Sequence, residues 1–130
     1  MEINDVDITL YQKNGFSVLQ YGVNLVEKVL PYFSVAQSVE GSYSFGAGKA
    51  PMERAGQGGF FIAPSGVRQR ILQEPDPATK RMTCRWVFII VRVNGSYTMD
   101  QLFDFPPVIE THLAAEMNGI FNDIFGAEDI

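Results

Sequence analysis

The chain has 130 residues, 46% of them hydrophobic and 19% charged, with a net charge of −5 and an isoelectric point near 4.7. That length supports one globular domain with a real core and leaves little room for two. The acidic balance argues against phosphate-backbone binding by this segment, which needs Lys and Arg clustered on one face.

The start, Met1-Glu2-Ile3-Asn4-Asp5, lacks the basic and apolar regions of a secretory signal, and the longest uninterrupted apolar run, Trp86 to Val91, is too short to span a bilayer. A cytoplasmic protein without membrane contact is therefore expected. Short apolar runs separated by turn signals then fill the first three quarters, the sequence habit of a sandwich or small barrel. Strands are expected at Phe16 to Tyr21, Phe33 to Val39, Tyr43 to Phe45, Met52 to Arg54, Phe60 to Ala63, Val67 to Leu72 and Met82 to Val93. Gly41, the glycines from Gly46 to Gly59, and Glu74-Pro75-Asp76-Pro77 punctuate them. Asn94-Gly95 reads as a tight turn. Thr98 and Gln101 have capping-box spacing for a short helical piece, Met99 to Asp104, which Pro106-Pro107 must end.

Beyond it, Ile109, Leu113, Met117, Ile120, Phe121 and Ile124 recur with helical spacing and place one apolar face on a helix from about Ile109 to Ile124. Gly119 costs that helix about 1 kcal/mol relative to Ala, which packing of the stripe can offset. The stripe has two possible partners, the β domain or a second copy of the chain. The expected division is a β-barrel over 1–97 and a C-terminal helical segment over 98–130, the two forming one structural domain.

Several chemical motifs fail on inspection. Gly46-Ala47-Gly48-Lys49-Ala50 has the outline of a phosphate loop, but Tyr43 stands at the first glycine position and Ala50 replaces the magnesium-binding Ser or Thr. A single histidine, His112, gives no support to a metal cluster or a Ser/His relay. Cys84 alone excludes an intrachain disulfide and a cysteine-based zinc site, and reads as a buried thiol. Glu40 and Glu53 have no spacing that pairs them as acid and base. Arg68, Arg70, Lys80, Arg81 and Arg85 are the one basic concentration, read as a solvated rim.

The most informative stretch is Gly58-Gly59-Phe60-Phe61-Ile62-Ala63-Pro64-Ser65-Gly66-Val67-Arg68-Gln69-Arg70-Ile71. Its glycines and proline turn the chain tightly before and after an apolar strand, so Phe60 to Ala63 and Val67 to Leu72 read as antiparallel neighbours. The spacing of Gly58, Pro64 and Gly66 matches the second cupin motif, with Gln69 where a metal-binding histidine would stand. An amide is a poor ligand for a catalytic transition metal but donates and accepts hydrogen bonds. The stretch where the first cupin motif would lie, Glu27 to Ser34, contains no histidine. Neither a metal nor another cofactor is expected.

Together with Arg85-Trp86-Val87-Phe88-Ile89 and the amphipathic helix after it, this stretch resembles the N-terminal sensor domain of AraC-type transcription regulators over about residues 15 to 125. The resemblance implies a mainly β fold, a cupin-like (double-stranded β-helix) barrel followed by a C-terminal α-helix or helices. It implies a small-molecule, sugar-like effector in the barrel and a homodimer. DNA would be met only through a helix-turn-helix domain that this chain lacks.

Strand alternation under that resemblance points Gln69 and Ile71 inward with Arg68 and Arg70 outward. It also points Met82, Cys84, Trp86, Phe88 and Ile90 inward, with Thr83 and Arg85 outside. Gln69, Cys84 and Trp86 match positions that contact sugar in the arabinose-responsive member, and an indole can stack on a sugar's C–H face. Ile71 and Ser38 complete the expected lining. Glu40 lies near a family position that carries a sugar-contacting arginine, which makes an amine-bearing ligand conceivable. Leu113, Met117, Ile120, Phe121 and Ile124 are the expected dimerisation residues. No catalytic residue is assigned; the rival readings are a metal-free cupin enzyme acting on a sugar or related metabolite, and a purely structural dimerisation module.

Overall fold

The computed structural model describes residues 2–98 and 104–126. Among these residues, ten strands precede one α-helix: β1 (Val6–Leu19), β2 (Asn24–Val29), β3 (Phe33–Glu40), β4 (Ser42–Ala47), β5 (Glu53–Ala55), β6 (Phe60–Ala63), β7 (Arg68–Glu74), β8 (Arg81–Val93), β9 (Tyr97–Thr98) and β10 (Val108–Ile109). A 3-10 turn, Thr111–Leu113, leads into α1 (Ala115–Phe125). The expected helical piece at Met99 to Asp104 lies, but for Asp104, outside the described residues.

The strands form two antiparallel sheets. One runs β1-β8-β3-β6-β10, with β9 paired to β8; the other runs β2-β7-β4-β5. Among the described residues no strand pairs with both, so the sheets face each other without closing into one hydrogen-bonded barrel. β8 is an interior strand of the larger sheet because its thirteen residues, rich in β-branched and aromatic side chains, find partners along both of its edges, β1 and β3. A bulge lies between Leu10 and Gln12 on β1, and a second between Ser38 and Glu40 on β3.

Two expectations are corrected here. β6 and β7 are not neighbours: β6 pairs with β3 and β10, whereas β7 pairs with β2 and β4 in the opposite sheet. Pro64-Ser65-Gly66-Val67 is thus an arch between sheets rather than a hairpin, pinned where the Gly66 N–H donates to the Leu30 carbonyl at 2.7 Å. The signal was ambiguous because all four residues of β6 are buried, on both faces. The C-terminal helix also begins later than its apolar spacing implied. Val108 and Ile109 extend instead as β10 beside Phe61 and Phe60, and Thr111 Oγ1 donates to the Gln57 carbonyl at 2.6 Å before the chain coils.

Glycine is required at the crossing from β3 to β4. Gly41 has φ +84°, and a Cβ there would stand 2.5 Å from the Glu74 carbonyl oxygen and 2.6 Å from the Met82 sulfur. The Asn94-Gly95 turn forms between β8 and β9 with φ values of 53° and 74°. The Asn94 side chain also ties down the N-terminus, accepting from the Asn4 and Asp5 amides and donating to the Glu2 carbonyl.

Over β3, β6 and the facing part of β8, the larger sheet is buried on both faces. Its inner face meets the smaller sheet in a core of Ala36, Phe61, Ala63, Met82 and Cys84 against Tyr43, Phe45, Ala55 and Ile71. Its outer face, Phe33, Val35, Phe60, Ile62 and Val87, packs on Phe121 and Ala114. Lys13 Nζ donates to the Ile124 carbonyl at 2.8 Å, placing a cation on the negative end of α1.

Arg85 therefore does not belong to a solvated rim: it points away from the smaller sheet, as alternation predicted, but into the layer beneath α1, where it is 2% exposed. Its Nε donates to Gln37 Oε1 at 2.7 Å, and its Nη2 to Asn122 Oδ1 at 2.8 Å and Asn118 Oδ1 at 3.2 Å. The guanidinium also lies over the rings of Phe121 and Phe125 at 5.6 and 5.5 Å.

Candidate functional site

A cavity of about 70 Å³ opens between the sheets. The larger sheet contributes Phe16, Ser34, Ala36, Phe61, Trp86 and Phe88; the smaller contributes Val26, Lys28, Tyr43, Gln69, Ile71 and Gln73, with Leu30 from the β2–β3 connection. The registers explain this lining. Directly opposed residues in an antiparallel pair share a face. Lys28 stands opposite Gln69 and Val26 opposite Ile71, while across the gap Ala36 stands opposite both Trp86 and Phe61. Small side chains at Ser34 and Ala36 leave the space that the flanking rings surround.

The aromatic wall is held by ring contacts. Phe16 meets Trp86 edge-on at 5.9 Å, Phe61 stacks on Phe45 at 4.6 Å, and Tyr43 meets Phe61 edge-on at 4.9 Å. Phe88 stacks on Tyr32 at 5.3 Å, and Tyr32 on Tyr11 at 4.5 Å.

Gln69 is the anomaly. Its residue is 0% exposed, and neither Oε1 nor Nε2 has a hydrogen-bond partner. Burying an amide unpaired costs about 1–3 kcal/mol, so native interiors seldom tolerate it. Two other polar side chains of the lining are partnered: Gln73 Oε1 accepts from Asn24 Nδ2 at 3.2 Å, and Ser34 Oγ donates to the Tyr32 carbonyl at 3.5 Å.

Lys28 is the charged residue of the lining. Its side chain is exposed, so it marks where the cavity opens to solvent. Burial of part of the side chain lowers the ammonium pKa from its ordinary value. Among the described residues, no carboxylate stands within ion-pairing distance of it. Sequence reasoning missed Lys28 because β2 carried no strand expectation; Val26 and Lys28 on one parity of Asn24–Val29 were the available signal.

Of the expected ligand residues, the fold brings Gln69, Ile71 and Trp86 together on this cavity. Cys84 and Ser38 face the same inter-sheet interior, paired to each other across β3 and β8, but pack in the core beyond the lining. Burial pushes the Cys84 thiol up to about 12, opposed by a hydrogen bond with the Tyr43 hydroxyl, and burial raises the Tyr43 phenol well above its ordinary value. Ser38 Oγ donates to the Gly56 carbonyl at 3.3 Å. Glu40 is turned elsewhere: its carboxylate accepts from the Thr79 and Thr83 hydroxyls at 3.0 and 2.9 Å. The charge offered to the cavity is thus positive, from Lys28.

The expected dimerisation residues separate into two groups. Phe121 is buried against the larger sheet, and Met117 and Ile124 are half-buried beside it. Ile120 is 57% exposed, and Leu113, on the 3-10 turn ahead of α1, is 71% exposed. Among the described residues, no three His, Cys, Asp or Glu side chains come together as a metal site, and no helix is long and apolar enough to cross a membrane. Comparisons with family models, with curated proteins and with solved structures gave no match.

Proposed function

We propose that the chain is a small-molecule-binding and dimerisation domain of a transcription regulator of AraC type, its two sheets a cupin-like variant and the inter-sheet cavity its effector site. The observation that carries this reading is the Gln69 amide, fully buried with both polar atoms unpartnered, on the same cavity as Trp86. An apolar wall with a few convergent polar groups is the usual chemistry of a small-molecule site. The volume of about 70 Å³ is roughly half that of an apolar cavity known to admit benzene, about 150 Å³, which favours a ligand smaller than a sugar ring.

Pairing of two copies is supported by the outer end of the molecule. An apolar groove lined by Val35, Val87, Ile89, Met117, Ile120, Phe121 and Ile124 runs beside α1, and exposed Ile8 and Leu10 share the same face of the larger sheet. Arg85 links the layers: it follows Cys84 and precedes Trp86 on β8, and its hydrogen bonds reach α1. A ligand that shifted Trp86 would act on the helix through that strand, to the extent that it binds two arrangements with different affinity.

The enzyme reading has less support, because the titratable groups of the lining are Lys28 and Tyr43, and the Tyr43 phenol is held far above neutrality. A thermal-shift screen with sugars and smaller polar metabolites, followed by light scattering with and without the best compound, tests the proposal. A saturable rise in the unfolding temperature supports it; no rise with any compound, in a chain that stays monomeric, contradicts it.

A further inference from the structure

The chemistry of the lining says more about the ligand. We propose that the inter-sheet cavity selects a small hydroxycarboxylate, with Lys28 as the counter-ion of the carboxylate and Gln69 as partner of both the carboxylate and the hydroxyl group. The inference rests on the ligand-binding reading of this cavity and goes beyond it in naming the class.

Three observations converge. First, Lys28 and Gln69 are opposed across the β2–β7 ladder, and both line the cavity, so an ammonium and an amide are presented side by side. The ammonium has three donors and no described carboxylate within ion-pairing distance. It would be satisfied by an anion rather than by an alcohol or an amine, and hydrogen bonds of this charged type are about twice as strong as neutral ones.

Second, Gln69 has a donor and an acceptor unpaired at the same site. Nε2 can donate to a carboxylate oxygen, and Oε1 requires an O–H or N–H from the ligand. A simple carboxylate satisfies the first atom and leaves the second orphaned; a hydroxycarboxylate satisfies both. An amine would also donate to Oε1, but it would stand beside Lys28 with a like charge.

Third, the remaining lining is mostly apolar, with Trp86, Phe61 and Ile71 on the cavity wall, and its volume of about 70 Å³ is small. Since a cavity needs about 10–15 Å³ for each water, that space takes roughly five to seven non-hydrogen atoms, an acid of about three or four carbons whose alkyl part meets the aromatic wall. Arg68 and Arg70 flank Gln69 on β7 but lie on the opposite face of the strand, where Arg68 pairs with Glu27 and Arg70 donates to the Ala50 carbonyl. They do not supply the charge.

Calorimetry with lactate, propionate, propane-1,2-diol and 1-aminopropan-2-ol tests the assignment on the full chain. Lactate should bind at least tenfold more tightly than the diol or the amine, and more tightly than propionate. Lys28→Met should lower lactate affinity tenfold or more while leaving the diol unchanged, and Lys28→Arg should restore most of the loss. Gln69→Leu should bring lactate down to the level of propionate. Because Lys28 is exposed, its variants are expected to fold, and circular dichroism checks this directly. Equal binding of lactate and the diol, or lactate binding unaffected by Lys28→Met, overturns the assignment. Saturable binding of the diol or of a sugar without binding of lactate also overturns it, but leaves the cavity as a ligand site. Absence of binding by all four probes and by the wider metabolite screen overturns both.

Discussion

Lys28 and Gln69 face each other across the β2–β7 ladder with both side chains directed between the sheets. The next pair on that face, Val26 and Ile71, is apolar. The wall formed by the smaller sheet therefore changes from hydrocarbon to charged and amide groups within a single step of the ladder. Such a junction holds a molecule with one polar and one apolar end, and it costs stability while nothing occupies it.

That cost gives the first prediction. Gln69→Leu removes an unpaired buried amide and supplies a side chain of similar size, so the ligand-free protein should gain about 1–3 kcal/mol. The denaturant midpoint should rise with an unchanged slope. A clear loss of stability would mean that the amide is hydrogen-bonded in solution.

Arg85 makes the opposite prediction. Arg85→Met leaves the buried Gln37 amide oxygen without its guanidinium donor and removes the hydrogen bonds to Asn118 and Asn122 that tie β8 to α1. A loss of about 1–3 kcal/mol is expected. Hydrogen exchange should rise first over 115–125 and little over β7, because the guanidinium bridges the larger sheet to α1.

The buried thiol sets an alkaline limit. Cys84 is raised from 9.0 to about 12 in the folded chain, so above pH 9 the unfolded chain binds fewer protons than the folded one. Stability is then fully present below pH 9 and is lost progressively toward pH 12. Tyr43, also raised, adds loss in the same direction above its ordinary value of 10.0. Lys28, whose pKa is lowered, works the other way below its ordinary value of 10.5, and offsets part of the loss. Denaturant titrations between pH 8 and 11 should show the net decline. A thiol reagent at pH 8 should leave Cys84 unmodified until the chain unfolds.

The C-terminal stripe predicts two distinct phenotypes. Phe121, buried against Phe60 with ring centroids 4.9 Å apart, belongs to the internal core, and Phe121→Ala should cost about 3–5 kcal/mol. Ile120→Glu and Leu113→Glu, at exposed sites, should change stability by no more than about 0.5 kcal/mol. If two copies pair through this end, light scattering should find the native chain dimeric and the double Glu variant monomeric. A native chain that stays monomeric well above micromolar concentration contradicts the pairing.

Much of the β architecture was legible in local patterns. Phe60–Ala63 has the expected bounds, and β3, β4, β7 and β8 differ from expectation by only a few residues, because turn residues and β-branched runs carry those signals. Alternation correctly put Gln69, Ile71 and Trp86 on one side of their strands. What failed depended on distant partners. β2 and the first half of β1 are highly exposed and follow no clean period; β1 is fixed chiefly by its ladder with β8. The separation of β6 from β7 depends on an arch whose residues could equally make a hairpin. Arg85 looked solvated because nothing local shows that the outer face of its strand is roofed by a helix. Lys28 entered the site only through its register with Gln69, which no spacing in the sequence reveals.

Ligand binding in the inter-sheet cavity has a built-in reporter. Trp86 is the single tryptophan of the chain and lines the cavity. Its emission, followed while lactate is titrated into the native protein and into Gln69→Leu, reports occupancy of the cavity without any added label. A saturable change is expected in the native chain, strongly weakened in the variant. A native emission spectrum unmoved by lactate, and by every compound of the metabolite screen, would contradict ligand binding in the cavity.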